Sequence, residues 1–539
     1  MSHLHPLLVA AAMATIGTRS AGAQPATLAG TTAPEVTFVV LLGKDTLAVE
    51  RYTRTATALS GQLTSPSQRI VQSWRIDLAP GDGRASGART AVSPLGDDGN
   101  AASGKPLQSV AVSLVGDSAV LSGDGGERRI AVPAGTLPYV NLSAGVLEQI
   151  LRQARSVGGD QVTLSLLPFG SLQTIPAAVR WSGPDSAAIS IGGAELHAQL
   201  DADGSLLGAE VPSQGARFVR ASGDLKVEPV APPDYSAPPG APYTATDVTV
   251  RNEVGGVTLA GTLTVPRDAS SSAPVPAVVL ITGSGSQDRD SATPLLPGYA
   301  PFREIADSLG RRGIAVLRLD DRGVGGSQRG DPGATSEDFA GDIRAALAFL
   351  RQRPEIDPAR LALAGHSEGA MIAPMVAVSD SALAAIVLMA APSRSGRVIS
   401  DAQVAQVMKE RGVPAAERDS LARLNDRERE KMVAASPWLK FFFSYDPLPT
   451  ARRLRLPVLI IQGETDHQVS PDQAGELAAA IRAGGDEDVT VKLIPEVNHL
   501  LVHDPSGALD GGYGSLASLK VEPAVLGAIA DWLSARLVR

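Results

Sequence analysis

The chain has 539 residues, too many for a single hydrophobic core, so two or three domains are expected. A hydrophobic content of 44% suits globular folding, and a formal net charge of −9 argues against nucleic acid as the main partner. The chain contains no cysteine, which excludes disulfides and thiolate-based metal sites.

Pro6 to Gly17 is a short, apolar, alanine-rich run followed by Ala21-Gly22-Ala23-Gln24. This small-x-small ending predicts a secretory signal peptide over residues 1–23 and an exported, periplasmic or secreted protein. Beyond it no apolar run reaches transmembrane length.

From residue 24 to about 228 short period-two runs alternate with turn residues. Val36 to Leu42 and Thr46 to Tyr52 flank the turn at Gly43-Lys-Asp45. Ile70, Trp74, Ile76 and Leu78 share one strand face, and Val110, Val112 and Leu114 repeat the alternation. One helix interrupts, capped by Ser143, with Val146, Leu147, Ile150, Leu151 and Ala154 at helical spacing. Pro80 to Gly104, rich in Gly, Asp and Ser, reads as a long loop. The expectation is a β-rich antiparallel domain, a strongly curved sheet or partial barrel around one helix. Asp201-x-Asp203-Gly204 reads as a hairpin turn, since no glutamate follows at calcium-loop spacing. His197 alternates with apolar neighbours and is expected at solvent. No catalytic cluster stands out here.

Residues 229–243 carry six prolines without periodicity, the composition of a stiff linker. From 244 to 539 the pattern changes. After a β-hairpin (Thr246–Asn252, Val257–Val265), apolar strands at Val275–Thr282, Ile314–Leu319, Leu361–Ala364, Ala384–Met389, Val458–Gln462 and Val489–Ile494 alternate with helical segments. That alternation predicts a mostly parallel sheet with helices on both faces. Ser336 is expected to cap one helix, with Phe339, Ile343, Leu347 and Leu350 inward. Between about 393 and 453 the alternation stops and the chain turns charged and helical. Five of its twenty aromatics fall within Trp438 to Tyr445, as in a helical lid lining an apolar pocket.

The strand from Leu361 runs into Gly365-His-Ser367-Glu-Gly369. A serine hydroxyl is a weak nucleophile and must stand exposed to a base. A sharp strand-to-helix turn exposes it, and glycines two before and two after relieve the crowding. The helix that follows aims its free N–H groups at the serine. Asp466, just past a strand end, suits the acid that orients a base. Among the histidines, His197 lies in the other domain, His366 points to the other side of the turn, and His467 adjoins the acid. His499 and His503 remain, both after the last strand. His499 is preferred, five residues beyond Ile494, because short post-strand loops suit a rigid site. The oxyanion hole would take its donors from the backbone of Glu368 and of Ser284, whose flanking glycines permit close approach.

These stretches together resemble the EstD-like esterases, α/β-hydrolases related to serine aminopeptidases. The resemblance covers about Thr246 to the C-terminus. It rests on Gly283-Ser-Gly-Ser-Gln-Asp-Arg-Asp290, Asp320-Asp-Arg-Gly-Val-Gly-Gly-Ser327, Gly365-His-Ser-Glu-Gly369, Pro437-Trp438 with Tyr445-Asp-Pro447, Gly463-Glu-Thr-Asp466 and Asn498-His499-Leu500. It implies an α/β-hydrolase domain with a Ser367-Asp466-His499 triad, carboxylesterase activity on a small-molecule ester, and no cofactor or metal. It also implies a structural role for Asp320, Asp321 and Arg322. Asp288-Arg289-Asp290 either recognises a charged substrate group or braces its loop. Thr282, where many relatives place a histidine, and Ala370, where they often have glycine, depart from the pattern. A peptidase or amidase with the same triad and a non-catalytic binding protein on this scaffold are the competing readings.

Overall fold

The computed structural model describes residues 34–221 and 233–538, apart from short stretches within both. The expected signal peptide, the Gly43-Lys44 turn and the first part of the proline-rich stretch lie outside the described residues. The chain divides into two compact units between Pro232 and Pro233.

Among the described residues of the first unit fifteen strands, β1 (Glu35–Leu42) through β15 (Ala216–Ala221), form one sheet. Its order is β8-β7-β6-β5-β4-β3-β2-β1-β15-β14-β13-β12-β11-β10-β9, two meanders joined where β1 pairs with β15. All pairings are antiparallel except that of β9 (Leu137–Tyr139) with β10 (Gln161–Pro168). A parallel pair needs a crossover, and α1 (Ala144–Val157) supplies it. Val146, Leu147, Ile150 and Leu151 of this helix share one buried cluster with Phe38 and Trp74 from one meander and Leu166, Ile189 and Phe218 from the other. A cluster fed from both meanders requires the sheet to curl around the helix. Ser143 caps α1 as expected, its Oγ accepting from the Val146 N–H at 3.1 Å.

The loop expected from Pro80 to Gly104 is instead interrupted by β5 (Ala85–Pro94), paired with Ile70–Leu78 and Gln108–Val115. Its inward residues include Ala88 and Thr90, too small and polar to register as a hydrophobic alternation. His197 is exposed, as expected, and Asp201 to Gly204 form a turn in which Asp201 accepts from the Asp203 and Ser205 N–H groups.

Among the described residues of the second unit eight strands form a sheet: β16 (Tyr243–Asn252), β17 (Val257–Pro266), β18 (Val275–Ile281), β19 (Ala315–Leu319), β20 (Ile356–His366), β21 (Leu383–Met389), β22 (Val458–Gly463) and β23 (Val489–Ile494). The order is β16-β17-β19-β18-β20-β21-β22-β23, with β18 to β23 parallel, β17 antiparallel to β19 and β16 antiparallel to β17. Both faces are covered, so the strands read as continuous apolar runs. Along β18, Ala277, Val279 and Ile281 join the core under α3 (Ser336–Arg351), α4 (Glu368–Ala377) and α9 (Asp472–Ala483). Val278 and Leu280 join the opposite core under α2 (Pro301–Gly310) and α10 (Pro523–Leu537). Because β18 lies between β19 and β20, the chain leaves it in one direction and reaches β20 in the other. Such a switch point opens a crevice at the strand ends. Between β21 and β22 four helices are inserted, α5 (Gly396–Glu410), α6 (Ala415–Ala435), α7 (Pro437–Ser444) and α8 (Pro447–Ala451).

Three local expectations change. The cap of α3 is Thr335, in a capping box with Asp338; Ser336 is the first helical residue and its hydroxyl is used elsewhere. The stretch from Pro233 is packed structure. The Tyr235 hydroxyl donates to Asp288 at 3.1 Å, its ring lies 4.3 Å from the Arg289 guanidinium, and Arg303 donates to the Asp234 carbonyl. Finally, a domain start at 244 falls inside β16, since Tyr243 is buried and pairs with Pro266.

Candidate active site

The turn at Ser367 is built by close packing. A Cβ on Gly365 would sit 2.1 Å from the Gly369 carbonyl oxygen, and one on Gly369 would sit 2.2 Å from that of Ile281. Only glycine fits at either position. Ser367 itself takes φ of 55°, a left-handed conformation costly for a residue with a side chain. Its N–H donates to the Met389 carbonyl at 2.9 Å, which fixes the turn on the neighbouring strand. The first residue of α4 is Glu368, whose N–H has no acceptor within the helix.

His499 reaches this turn from the loop after β23. Its Nε2 lies 3.1 Å from Ser367 Oγ and its Nδ1 lies 2.9 Å from Asp466 Oδ2. The carboxylate only accepts, so Nδ1 carries the proton and Nε2 offers its lone pair to the serine hydroxyl. Asp466 is fully buried. Its Oδ1 accepts from the Gln468 and Val469 N–H groups, each at 2.9 Å, and its Oδ2 also accepts from Gln462 Nε2 at 2.9 Å. These donors satisfy a buried charge and leave it aimed at the imidazole. The structure therefore brings Ser367, Asp466 and His499 into one hydrogen-bonded line. His503 lies apart from that line, exposed and bridged through its backbone to Val497.

The histidine loop is pinned on several sides. Asn498 Nδ2 donates to Asp504 at 3.1 Å, and the Tyr299 hydroxyl donates to the Leu500 carbonyl at 3.0 Å. His366 supplies a contact that spacing alone did not suggest. Its Nε2–H donates to the His499 carbonyl at 2.8 Å, and the two rings lie 5.1 Å apart. Burial, then the neighbouring His499, lowers the His366 pKa to about 4. A neutral His366 thus holds the backbone of His499 without adding a like charge.

The loop after β18 lies against the serine: a Cβ on Gly283 would meet the Ser367 Cβ at 3.3 Å. Ser284 is exposed at the start of this loop. Asp321 braces the loop, accepting from the Thr282 hydroxyl at 2.6 Å and the Gln287 N–H at 2.9 Å. Burial pushes the Asp321 carboxyl up to about 8. Arg289 is buried and bidentate to Asp320, at 3.0 and 2.8 Å, with a third contact to Asp247 at 2.7 Å. Asp290 pairs with Arg318, and Arg322 with Asp342. The Asp288-Arg289-Asp290 stretch is thus a brace, its charges consumed inside the fold. Among the described residues no cluster of His, Asp or Glu is arranged to hold a metal ion.

Residues 299–506 match the family model Hydrolase_4, serine aminopeptidase, S33. The C-terminal unit has the α/β-hydrolase fold, and residues 299–506 within it are similar to this family. Esterase EstD of Thermotoga maritima is 28% identical over 312 residues, which span 56% of this chain and 69% of the relative. Dipeptidyl aminopeptidase BIII of Pseudoxanthomonas mexicana is 27% identical over 303 residues, 54% of this chain but 40% of that protein. The solved esterase domain of a Rhodothermus marinus protein is 20% identical and covers 55% of this chain and 99% of its own, at a TM-score of 0.35. The family match begins at residue 299, so the loop bearing Ser284 precedes it. In this chain that loop is tied to the turn at Ser367 by the packing just described.

Proposed function

We propose that the protein hydrolyses carboxylic esters of small molecules through an acyl-enzyme at Ser367, without a cofactor. The observation that carries this reading is the unbroken line from Ser367 Oγ through His499 to buried Asp466, at 3.1 and 2.9 Å. Ser367 Oγ attacks the acyl carbon while His499 Nε2 takes its proton. The negative charge passes to the carbonyl oxygen, which the N–H groups of Glu368 and Ser284 receive. The intermediate collapses, His499 returns the proton to the departing alkoxide, and an alcohol leaves. Water then repeats the sequence on the acyl-enzyme and releases the acid. Asp466 holds the imidazole in the productive tautomer and stabilises its cationic form.

The relative named as an esterase supports an ester substrate, and 69% of its length is spanned. A second reading, cleavage of peptides or amides by the same groups, draws on the relative named as a dipeptidyl aminopeptidase, of which 40% is spanned. Fluorophosphonate labelling followed by peptide mass analysis tests the nucleophile: the adduct is expected on Ser367, and a label elsewhere overturns the assignment. Parallel assay of acyl esters and aminoacyl amides decides between the readings. Export after cleavage behind Ala23 belongs to the same proposal and predicts a mature chain starting at Gln24; exported material that retains residues 1–23 speaks against it.

A further inference from the structure

Glu368 presents two different groups. Its backbone N–H stands at the open end of α4, while its side chain turns into the protein and is 3% exposed. There a single oxygen, Oε1, accepts from the Ser336 hydroxyl at 2.6 Å and from the Trp438 indole N–H at 2.8 Å. These donors come from separate segments: Ser336 opens α3, and Trp438 lies in the first turn of α7 in the inserted helices. Burial raises the carboxyl pKa, and hydrogen bonds from Ser336, Trp438 and Ser284 oppose that shift. A buried carboxyl is costly unless its partners are in place, so this contact is sensitive to where α7 sits.

The contact extends into the inserted helices. The Trp438 ring stacks on Phe442 with centroids 5.6 Å apart. Phe442 in turn packs on the first residue of α5, where a Cβ on Gly396 would be 2.4 Å from its ring. Helix α5 touches the acid loop, Gln403 Nε2 donating to the Gln468 carbonyl at 3.2 Å, two residues beyond Asp466. The lid is therefore fastened beside the nucleophile and again beside the acid.

We propose that Glu368 is a positioning residue whose carboxyl fastens the lid to the nucleophile elbow through Trp438, so that the seating of α7 sets how the acyl group is held. This rests on the hydrolase reading only for the acyl group; the fastening itself is a property of the folded chain.

The test uses the full chain with Trp438→Phe, Glu368→Ala and Glu368→Gln. Trp438→Phe keeps a ring and removes the donor. It should speed amide exchange over residues 437–444 by about tenfold, the size of one lost hydrogen bond. It should raise KM for an aryl-acyl ester by a similar factor while lowering kcat less. Glu368→Ala should loosen α7 equally, and adding Trp438→Phe to it should change exchange by less than about twofold, because the shared contact is already gone. Glu368→Gln, which retains an acceptor oxygen, should restore protection. Unchanged exchange in Trp438→Phe, or effects that multiply in the double variant, overturns the proposal. Should Glu368→Ala fail to fold, the exchange of Trp438→Phe alone decides. Ser367→Ala separates the two ideas: turnover that survives it refutes the hydrolase reading, while the exchange data still judge the fastening.

Discussion

Each unit buries a helix whose N-terminus meets a glutamate, and the two ends are treated in opposite ways. In the first unit Glu50 fills the end of α1, accepting from the Ser143 hydroxyl at 2.5 Å and the Gly145 N–H at 3.2 Å, while Ser143 accepts from Val146. A Cβ on Gly145 would lie 2.9 Å from the Tyr52 ring, so nothing further can approach. In the second unit α4 has no side-chain cap; Ser367 occupies that place with its hydroxyl turned to His499, and the glutamate points away toward the lid. A helix N-terminus attracts negative charge. When a buried carboxyl takes the free donors, the end is closed to other acceptors; when it is left open beside the proposed nucleophile, it can receive charge that develops during a reaction.

The sharpest way to break this contrast is to remove the proposed nucleophile. Ser367→Ala should lower ester turnover by about 10⁴-fold or more with unfolding behaviour unchanged, because members of such a triad act as a unit. Turnover close to wild type in a folded variant would mean that the open helix end is not the reactive one. Next in size is the base. His499→Ala should cost about 10²- to 10⁴-fold, the range for a general base, and His503→Ala should stay near wild type. The reverse pattern on a short acyl ester would move the base and leave the nucleophile in place.

The sealed end makes its own prediction, read in stability. Burial raises the Glu50 carboxyl from its ordinary 4.5 to about 7. Between these values the folded chain holds a proton that the unfolded chain has released. The stabilisation is therefore complete below about pH 4.5 and is lost as pH rises toward 7, by an amount on the order of 3 kcal/mol. Exchange of the α1 amides, corrected for intrinsic rates, should accelerate over this interval, and Glu50→Gln should flatten the change. A pH dependence that persists in Glu50→Gln would place its origin in another group.

How much of this could be read from sequence follows from the range of the interactions. The strands of the second unit are buried on both faces and appear as bare apolar runs, and Ser367, Asp466 and His499 each follow such a run. Their convergence follows from strand order alone. The elbow glycines were equally legible, since the motif itself states the crowding. Strand β5 was not, because Ala88 and Thr90 bury little apolar area. Nor was the role of Ser336: a serine beside a capping threonine looks like a cap, and its true partner is 32 residues away. The Trp438–Glu368 contact spans 70 residues and has no local signature. Nor does spacing show what His366 does: the carbonyl it holds belongs to His499, 133 residues on.

The smallest predicted effect concerns where the second unit begins. Proline-rich composition reads as a stiff linker, but Tyr235 lies over Arg289 and bonds to Asp288, and Arg303 donates to the carbonyls of Asp234 and Ser236. Fragments 233–539 and 243–539 both retain buried Tyr243, whose hydroxyl donates to Asp307 at 2.6 Å, and both retain every proposed catalytic group. They differ in the ten residues that carry these contacts. A partly exposed cation–π contact contributes about 0.5–1 kcal/mol and a hydrogen bond about as much. Ordering the segment costs entropy that opposes this gain. The longer fragment should thus be more stable by about 1–2 kcal/mol, a rise of several degrees in Tm for a domain of this size. Ester turnover should match between the two, because the segment braces the loop from behind. Equal Tm values would return the segment to the status of a spacer, whereas folded fragments that are both inactive would show that the first unit contributes to the site.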